Sequence, residues 1–437
     1  MSPARARLAF GLVAAPALLM RFHNAFAYPA GWGFDASHNW RYIHALTRSW
    51  QLPTADAAWS TADPPLFFYL SALLLRCAGL EPVLIPLLNT LLGLGVVALA
   101  MRLVRRAAPA DPERALLAGA LLLYLPAHVH MSAMVNEEML AAFCTSVAMF
   151  SVAAPREGGS RSIRRALWAG AASGAAMLSK ASGALAAVAG AGALAWSGWR
   201  AGSKRAALRS GAILLASAAL LGGWFYARNQ LAHGSPLPSR LPAHARMLGM
   251  PPGERGVLDY LRFPLATFTD PQLLHPALLR SVWGSTYATA WFDAHRYFLP
   301  TDSAPVRRLG TLLLTLALLP SAAFCVGLAR GATRRSATDA PLVLLTLLTL
   351  LAYAAYSWRN PWFAVLKGTA LLGLSLPYAY YASEVLTRWL RRSRLAAFGI
   401  GAALAVLALC VLLSGTFGLA FERSELPGLR WEEVRPT

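Results

Sequence analysis

The chain of 437 residues has few charged side chains and few cysteines. Charged residues make up 14% of it, whereas soluble domains carry about a quarter. The cysteines lie in apolar stretches without CxxC spacing, at Cys77, Cys144, Cys325 and Cys410. This pattern argues against a disulfide framework and against a cysteine metal site. No P-loop, Rossmann glycine pattern, HExxH or GxSxG stands in a suitable context, which argues against nucleotide-driven chemistry.

Acidic residues are scarce as well, with 20 Asp and Glu against 40 Lys and Arg, for a net charge of +20. A basic chain can bind nucleic acid, but here the basic residues stand in short clusters between apolar runs. Such clusters are typical of loops on the cytoplasmic side of a membrane, so no nucleic-acid partner is predicted. The clusters are Arg5 and Arg7; Arg102, Arg105, Arg106 and Arg114; Arg156, Arg161, Arg164 and Arg165; Arg200, Lys204, Arg205 and Arg209; Arg330, Arg334 and Arg335; and Arg388, Arg391, Arg392 and Arg394.

Long apolar runs are abundant, and hydrophobic residues make up 57% of the chain. By the length needed to cross a bilayer, the sequence predicts roughly 11 spans. They are 8–26, 83–101, 115–130, 139–154, 166–179, 183–199, 210–227, 309–329, 342–357, 368–386 and 395–415. We interpret the first as an uncleaved helix rather than a signal peptide. The predicted fold is an all-α, polytopic transmembrane helix bundle, with 1–437 as a single domain.

The apolar segment 65–77 is short for a span, and the charges favour leaving it out of the membrane. The basic clusters fall on one side only if this segment does not cross, so we expect an interfacial helix there. The first outer loop then covers 27–82 and contains interfacial helices. A second, long outer loop covers 228–305, and 421–437 forms a short outer tail.

This topology brings polar residues that are far apart in sequence to the same outer face. They are Asp35, Asp63, Asn136, Glu137, Glu138, Lys180 and Arg228. Ionisable residues at the ends of membrane spans are costly where they enter the bilayer, and such residues are often functional. Their convergence predicts a site at this face.

Asp35 follows the first span and stands among aromatic residues. A carboxylate at the interface can act as a general base on an acceptor hydroxyl. It can equally be the N-cap of the amphipathic segment 37–50, since Asp is a good cap. Position alone does not separate these two roles. Asp63, which precedes Pro64 and Pro65, has the pattern of an ordinary helix start.

Two adjacent glutamates, Glu137 and Glu138, follow Asn136 at the head of an apolar span. One acid there suits the helix dipole. Two are more than a cap needs, so we expect this triplet to bind an acceptor or a cation. Nothing in its spacing requires a divalent cation, and the presence of a metal stays open.

Lys180 lies between two helices rich in small residues, and Arg228 closes a later span. Each has an ordinary alternative, because lysines snorkel to the surface and interfacial arginines are common. A planar guanidinium also suits a phosphate. Together on one face, Lys180 and Arg228 would form a phosphate clamp. The aromatic stretches 283–287 and 291–297 in the long outer loop suit sugar stacking, but anchoring at the interface is favoured.

The ordered series of these motifs resembles the GT-C superfamily of polytopic glycosyltransferases, which includes protein O-mannosyltransferases and lipid A aminoarabinose transferases. The residues that carry the resemblance are Asp35, His38–Tyr42, Leu52-Pro53, Pro64–Tyr69, Asn136-Glu137, Ser179-Lys180 and the run 224–229 with the Gly-Ser-Pro after it. The likeness covers about the first 240 residues. Ala36 departs from it, since many members carry a second acid there. Asp63 also departs, because many members have a lysine or histidine before the two prolines.

The resemblance implies an inverting transfer of a sugar from a polyprenyl-phosphate donor to a hydroxyl on a lipid, glycan or protein. Asp35 would be the base, Lys180 and Arg228 would bind the donor phosphate, and His38, Tyr42 and Tyr69 would support them. It also implies a bacterial inner-membrane protein, surrounded by membrane lipids, with its site on the outer face. The alternative is a membrane transporter or flippase for a lipid-linked glycan or another solute, but the ionisable residues sit at span ends and no internal repeat is visible.

Overall fold

The computed structural model describes residues 3–79, 81–154, 163–200, 202–238, 246, 249–272, 274–301, 303–334 and 336–421. Over these residues the chain is helical and contains no β-strand, which confirms the predicted all-α class. Arg156, Arg161 and Arg335 of the basic clusters lie outside the described residues. So does almost all of the predicted tail 421–437 and part of the predicted loop 228–305.

The helices follow one another along the chain. The α-helices are α1 Pro3–Ala27, α2 Ala36–Ser49, α3 Leu66–Ala78, α4 Leu84–Ala107, α5 Pro112–Leu123, α6 Pro126–Ala133, α7 Glu138–Ala153, α8 Ile163–Ser179, α9 Ala184–Arg200, α10 Lys204–Ala218, α11 Trp224–His233, α12 Leu258–Leu261, α13 Ala266–Thr269, α14 Pro276–Leu279, α15 Val282–Trp291, α16 Ala304–Thr333, α17 Asp339–Arg359, α18 Ser375–Leu390 and α19 Arg394–Gly415. Short 3₁₀ helices cover Trp59–Ala62, Ala181–Gly183, Phe363–Val365 and Gly368–Leu374, and a π-helical turn, Ala219–Gly223, joins α10 to α11.

Seven helices among the described residues are long and apolar enough to cross a bilayer, or eight if a bent pair counts as one span. The chain is therefore an integral membrane protein. The bent pair is α5 and α6, which meet at 58°. Helices α7, α8 and α18 have 16, 17 and 16 residues, so the count of roughly 11 spans stays a prediction. Helix α3, with 13 residues, is short for a span.

Small residues let α8 approach its neighbours closely. A Cβ atom added at Gly170 would lie 2.4 Å from the carbonyl oxygen of Leu214, and one at Gly174 would lie 2.9 Å from that of Ala218. A Cβ atom at Gly183 would lie 2.2 Å from the backbone of Ala176. Backbones can approach this closely only where side chains are absent. This packing fixes the end of α8, and with it the segment that carries Lys180.

Pro126 separates α5 from α6, and Arg21 of α1 binds the backbone at the break. The Arg21 guanidinium is 1% exposed. It donates to the carbonyl oxygens of Leu122 and Leu123, each at 3.0 Å, and to Ser132 Oγ at 2.8 Å. Buried carbonyls need such donors when a helix ends inside a protein. Arg21 thus holds the bend from which the chain continues to α7.

Ion pairs distinguish the two ends of the bundle. At one end, which we name the basic end, carboxylates pair with several arginines from α5, α16 and α18; these residues are Asp111, Glu113, Arg114, Arg334, Glu384, Arg388 and Arg391. At the other end, which we name the acidic end, carboxylates from three segments surround a single lysine. Its residues are Asp35, Asp63, Glu137, Glu138 and Lys180.

Candidate active site at the acidic end

Asp35 stands at the start of α2 but does not cap it. Its backbone is in the left-handed region, at φ 53°, and its side chain makes no capping hydrogen bond. The Trp59 indole instead donates from Nε1 to Asp35 Oδ1 at 3.0 Å. The side chain is exposed. The N-cap alternative is therefore wrong, and Asp35 presents an accessible carboxylate held by an aromatic side chain.

The sequence pattern of Asp63 predicts the start of the helix after Pro64 and Pro65. In the structure Asp63 does not start that helix. It ends the 3₁₀ helix Trp59–Ala62, with its backbone N–H bonded to the carbonyl oxygen of Ser60 at 3.0 Å, while α3 begins at Leu66. Burial raises the pKa of the Asp63 carboxyl well above its usual range, and the charges of Glu137 and Asp35 raise it further. Asp63 therefore lies among the carboxylates of the acidic end, on the face where the sequence predicts a site, and not at a helix start.

Lys180 joins α8 to the 3₁₀ helix Ala181–Gly183 and pairs with both glutamates at the start of α7. Its Nζ bonds Glu138 Oε1 and lies 3.5 Å from Glu137 Oε1. Burial lowers the pKa of Lys180, but Glu138 and Glu137 outweigh this effect and the pKa is raised overall. Burial also raises the pKa of Glu137, against the opposing charge of Lys180. Lys180 thus serves as the counter-ion of the two glutamates.

Asn136 uses its side chain to build the turn before α7. Its Nδ2 donates to the carbonyl oxygens of Met131 at 3.1 Å and Met134 at 3.0 Å, and its Oδ1 accepts from the Glu138 N–H at 2.9 Å. The side chain is buried, with 2% exposure. Its predicted role in binding an acceptor or a cation is not favoured, because both ends of the amide are already engaged by the backbone.

Arg228 of α11 contacts the predicted first outer loop rather than Lys180. Its guanidinium donates from Nη2 to the carbonyl oxygens of Pro53 at 2.9 Å and Leu52 at 3.4 Å. Its buried Nη1 finds no hydrogen-bond partner among the described residues. The phosphate clamp stays a prediction; in this structure Lys180 pairs with carboxylates and Arg228 donates to the backbone of a loop.

The predicted supporting residues line the same region. Tyr42 stacks on Phe68 with ring centroids 4.2 Å apart, and burial raises the pKa of its hydroxyl. Within the described part of the chain the Tyr42 hydroxyl has no hydrogen-bond partner. The Tyr69 hydroxyl donates to the Trp50 carbonyl oxygen at 3.1 Å. The His38 ring lies 6.2 Å from that of Trp59, close to the carboxylate that Trp59 holds.

Sequence reasoning also missed Tyr356, near the end of α17. Its hydroxyl lies within electrostatic reach of Lys180, Asp63 and Asp35. It is exposed, so it can contact a bound molecule at the acidic end. Its only sequence signal is its position at the outer end of a predicted span, a signal that many interfacial tyrosines share.

The aromatic stretches of the predicted long outer loop pack against the bundle, and their anchoring at the membrane interface stays a prediction. Trp291 is 4% exposed and contacts Tyr378 with ring centroids 6.3 Å apart. Trp283 lies 6.0 Å from Tyr353. His295 packs on the edge of Phe34 at 4.6 Å. The loop therefore braces the segment that leads into Asp35.

The acidic end does not offer a divalent cation a ready set of ligands. In the described ranges, no group of three His, Cys, Asp or Glu side chains is placed to hold a metal ion. Glu137 and Glu138 are already neutralised in part by Lys180. The side chains as arranged do not fit a metal, so we derive no step through one.

Comparisons with known proteins show which family model matches the chain and which solved structures share its fold. The family described as dolichyl-phosphate-mannose-protein mannosyltransferase matches residues 62–224, a range that contains Asp63, Glu137, Glu138 and Lys180. No curated protein matches the chain.

Several solved structures are similar to the chain at low sequence identity. The Archaeoglobus fulgidus oligosaccharyltransferase tethered to an acceptor peptide is 14% identical, with a TM-score of 0.55 over 97% of this chain and 56% of that one. The same archaeal enzyme, AglB, in complex with an inhibitory peptide and a dolichol-phosphate is 14% identical, with a TM-score of 0.52 over 94% of this chain and 56% of that one. ArnT from Cupriavidus metallidurans bound to undecaprenyl phosphate is 16% identical, with a TM-score of 0.42 over 87% of this chain and 80% of that one.

The chain thus spans little more than half the length of the archaeal oligosaccharyltransferase. At these identities the likeness establishes the fold. Together with the family match it confirms the resemblance that the sequence motifs predict: the chain has the fold of the GT-C glycosyltransferases and resembles that superfamily.

Proposed function

We propose that the chain is an inverting glycosyltransferase that moves a sugar from a polyprenyl-phosphate donor to a hydroxyl acceptor at the outer face of the membrane. The observation that carries this proposal is the acidic end itself. Segments far apart in sequence bring Asp35, Asp63 and Glu137 within electrostatic reach of one another. Such a concentration of one charge sign is unfavourable for folding alone and is typical of sites that bind or move protons.

Asp35 is the proposed base. It accepts the proton of the acceptor hydroxyl, and the oxygen attacks the anomeric carbon from the face opposite the phosphate. The bond between that carbon and the phosphate oxygen breaks, and polyprenyl phosphate leaves with the electron pair. The exposed carboxylate and its single indole donor suit this role, because the second oxygen can approach the acceptor.

The charge distribution supports separate places for donor and acceptor. A donor phosphate is repelled by the carboxylates of the acidic end and is attracted to the half-buried guanidinium of Arg228. Glu137 and Glu138, held by Lys180, then form the wall on the acceptor side. In this proposal Lys180 holds two carboxylates in place, and Arg228 makes the direct contact with the phosphate.

The bent pair of α5 and α6 is the one feature here that would suit a transporter, since broken helices often form substrate sites in transporters. The carbonyl oxygens freed at this break, those of Leu122 and Leu123, accept hydrogen bonds from buried Arg21. They are therefore engaged within the protein. This favours transfer chemistry over a permeation path.

The donor and acceptor classes come from the relatives. The archaeal oligosaccharyltransferase is known with an acceptor peptide and with a dolichol-phosphate, and the matching family is described by a dolichyl-phosphate-mannose donor. For this chain we propose a hexose on polyprenyl phosphate and a lipid, glycan or protein acceptor. The membrane is proposed to be a bacterial inner membrane.

A transfer assay tests the proposal. The purified protein in detergent is given radiolabelled polyprenyl-phosphate sugars and envelope acceptors, and wild type is compared with Asp35→Asn. We expect the variant to lose about 100-fold or more of the transfer rate, because a positioned base contributes at least this much. Asp270→Asn, at an outer-loop carboxylate that accepts from Gln272, is the matched control. Transfer that survives in a folded Asp35→Asn variant would remove Asp35 from the mechanism.

A further inference from the structure

Asn39 of α2 lies at a junction of three segments, each of which carries a carboxylate of the acidic end. Its side chain is 1% exposed. Its Nδ2 donates to the Val135 carbonyl oxygen at 2.9 Å, and its Oδ1 accepts from Ser60 Oγ at 2.8 Å. Its backbone N–H bonds the Asp35 carbonyl oxygen at 2.8 Å. One amide thus connects α2, the 3₁₀ helix Trp59–Ala62 and the turn before α7.

Each residue that Asn39 contacts is close to a carboxylate of the acidic end, either within two residues in sequence or through one hydrogen bond. Val135 precedes the Asn136-Glu137 pair. The Ser60 carbonyl oxygen accepts a hydrogen bond from the Asp63 N–H at 3.0 Å. A shift of Ser60 would therefore move Asp63. Asn89 of α4 supports the same turn from below, donating to the carbonyl oxygens of Met134 at 2.8 Å and Asn136 at 3.0 Å.

The junction matters because the segments it joins repel one another. Asp35, Asp63 and Glu137 raise one another's energy when ionised, and Lys180 is the counter-ion on the α7 side. A buried amide that donates to one segment and accepts from another resists their separation without adding charge. Burying it unpaired would be costly, so both bonds are expected to persist.

We propose that Asn39 is a positioning residue that sets the spacing between the segments carrying Asp35, Asp63 and Glu137. This inference rests on the proposed transfer function for its effect on rate. It assigns Asn39 no contact with substrate. It requires that the geometry of the carboxylates change when the two side-chain hydrogen bonds are lost.

Two substitutions separate this role from simple packing. Asn39→Leu has a similar size and makes neither hydrogen bond. Asn39→Asp makes both when protonated, because its O–H can donate to Val135 and its C=O can accept from Ser60, but ionisation removes the donor. The charged groups around this position are Asp35 and His38 on α2, Asp63, Glu137, Glu138 and Lys180 opposite. Burial and nearby carboxylates favour the protonated acid, so its loss should come well above the ordinary carboxyl range, which lies near about pH 4.

The transfer rate of each variant is divided by the wild-type rate at every pH. We expect Asn39→Leu to be slower by about 10- to 100-fold at all pH values, since misplacement by about 1 Å costs this much. Asn39→Asp should match wild type at acidic pH and fall toward Asn39→Leu as pH rises. Gln272→Glu, the same amide-to-acid change where the amide donates to Asp270 in its own turn, is the control. A flat ratio for Asn39→Asp, or a wild-type rate for Asn39→Leu, would overturn the proposal.

Carbodiimide labelling of carboxylates, read by mass spectrometry on folded protein, tests the junction without transfer. Asn39→Leu should increase the labelling of Asp63 and Glu137 relative to wild type, with Gln272→Glu unchanged. Unchanged labelling in a folded Asn39→Leu variant would overturn the inference. If wild type transfers no sugar, the proposed function fails by itself, and the labelling result still decides whether Asn39 sets the spacing.

Discussion

At the basic end one carboxylate is shared by three guanidinium groups, whereas at the acidic end one ammonium is shared by two carboxylates. Glu384 contacts Arg334 at 2.5 Å, Arg388 at 2.7 Å and Arg114 at 3.4 Å. Lys180 contacts Glu137 and Glu138, and Asp63 is close enough to affect its pKa. The two ends therefore have opposite ratios of basic groups to carboxylates.

The difference in proportion separates a structural network from a site. Glu384 is 3% exposed and joins the ends of α5, α16 and α18, so its charge is fully matched where helices meet. At the acidic end the carboxylates exceed the cations, and the pKa values of Asp63 and Glu137 are raised as a result of burial and mutual repulsion. Stability favours the first arrangement, and proton transfer or ligand binding needs the second.

The largest expected effect on stability is at the basic end. Glu384→Gln leaves three arginines without their shared carboxylate, and removal of one partner of a buried ion pair is strongly destabilising. Because Arg334 and Arg388 are 36% and 55% exposed, water compensates in part, and we expect a loss of about 2–3 kcal/mol. Thermal unfolding in detergent measures it. Transfer per folded molecule should stay at the wild-type level, and a selective loss of transfer would contradict the division between the two ends.

The next effect is at the acidic end and should appear in the rate. Lys180→Met leaves Glu137 and Glu138 without their counter-ion, so they repel each other and the α7 side of the site shifts. We expect about a 10-fold or greater loss of transfer. The double variant Lys180→Met with Glu138→Gln restores the charge balance and should recover part of the rate. If the double variant is as slow as the single one, Lys180 acts directly on a substrate and not as a counter-ion.

A smaller effect depends on pH. The folded pKa of Asp63 lies above the unfolded value near about 3.9. The protonated carboxyl therefore stabilises the fold at low pH, and this contribution is lost as pH rises through the folded pKa. Asp63→Asn imitates the protonated acid. The variant should become more stable than wild type by about 1 kcal/mol or more as pH increases. Melting temperatures over a pH series test this, with Asp270→Asn as the control; a difference that shrinks with rising pH would contradict it.

Much of the fold follows from the sequence because the membrane imposes simple rules. Apolar length and the distribution of arginines predict an all-α bundle with an outer face, and they predict that Asp35, Glu137 and Lys180 lie on that face. The partners of these residues were harder to foresee. The sequence predicts Lys180 at a phosphate. In the structure this lysine instead forms ion pairs with two glutamates at the start of a neighbouring helix.

Local patterns misled where tertiary contacts replace them. Asp35 and Asp63 both have the sequence of helix starts, yet neither side chain caps the start of an α-helix. Trp59 holds one of them, and the other lies among carboxylates from distant segments. Asn39 gave no signal at all, because a buried asparagine that joins three segments has the same sequence pattern as one on a helix surface. Its two partners lie 21 and 96 residues away.

The smallest expected effect returns to the basic end and tests whether every ion pair there matters. Arg391 makes bonds of 2.7 and 2.8 Å to the two oxygens of Asp111 and lies 3.3 Å from Glu113, but its side chain is 54% exposed. Exposed pairs contribute little, because water and salt screen them, so Arg391→Ala should cost less than about 1 kcal/mol of unfolding free energy. Raising the salt concentration should shrink even this difference. A loss as large as that of Glu384→Gln would show that exposed arginines bind the helix ends together as strongly as buried ones, and burial would no longer explain why Glu384 is central to that end.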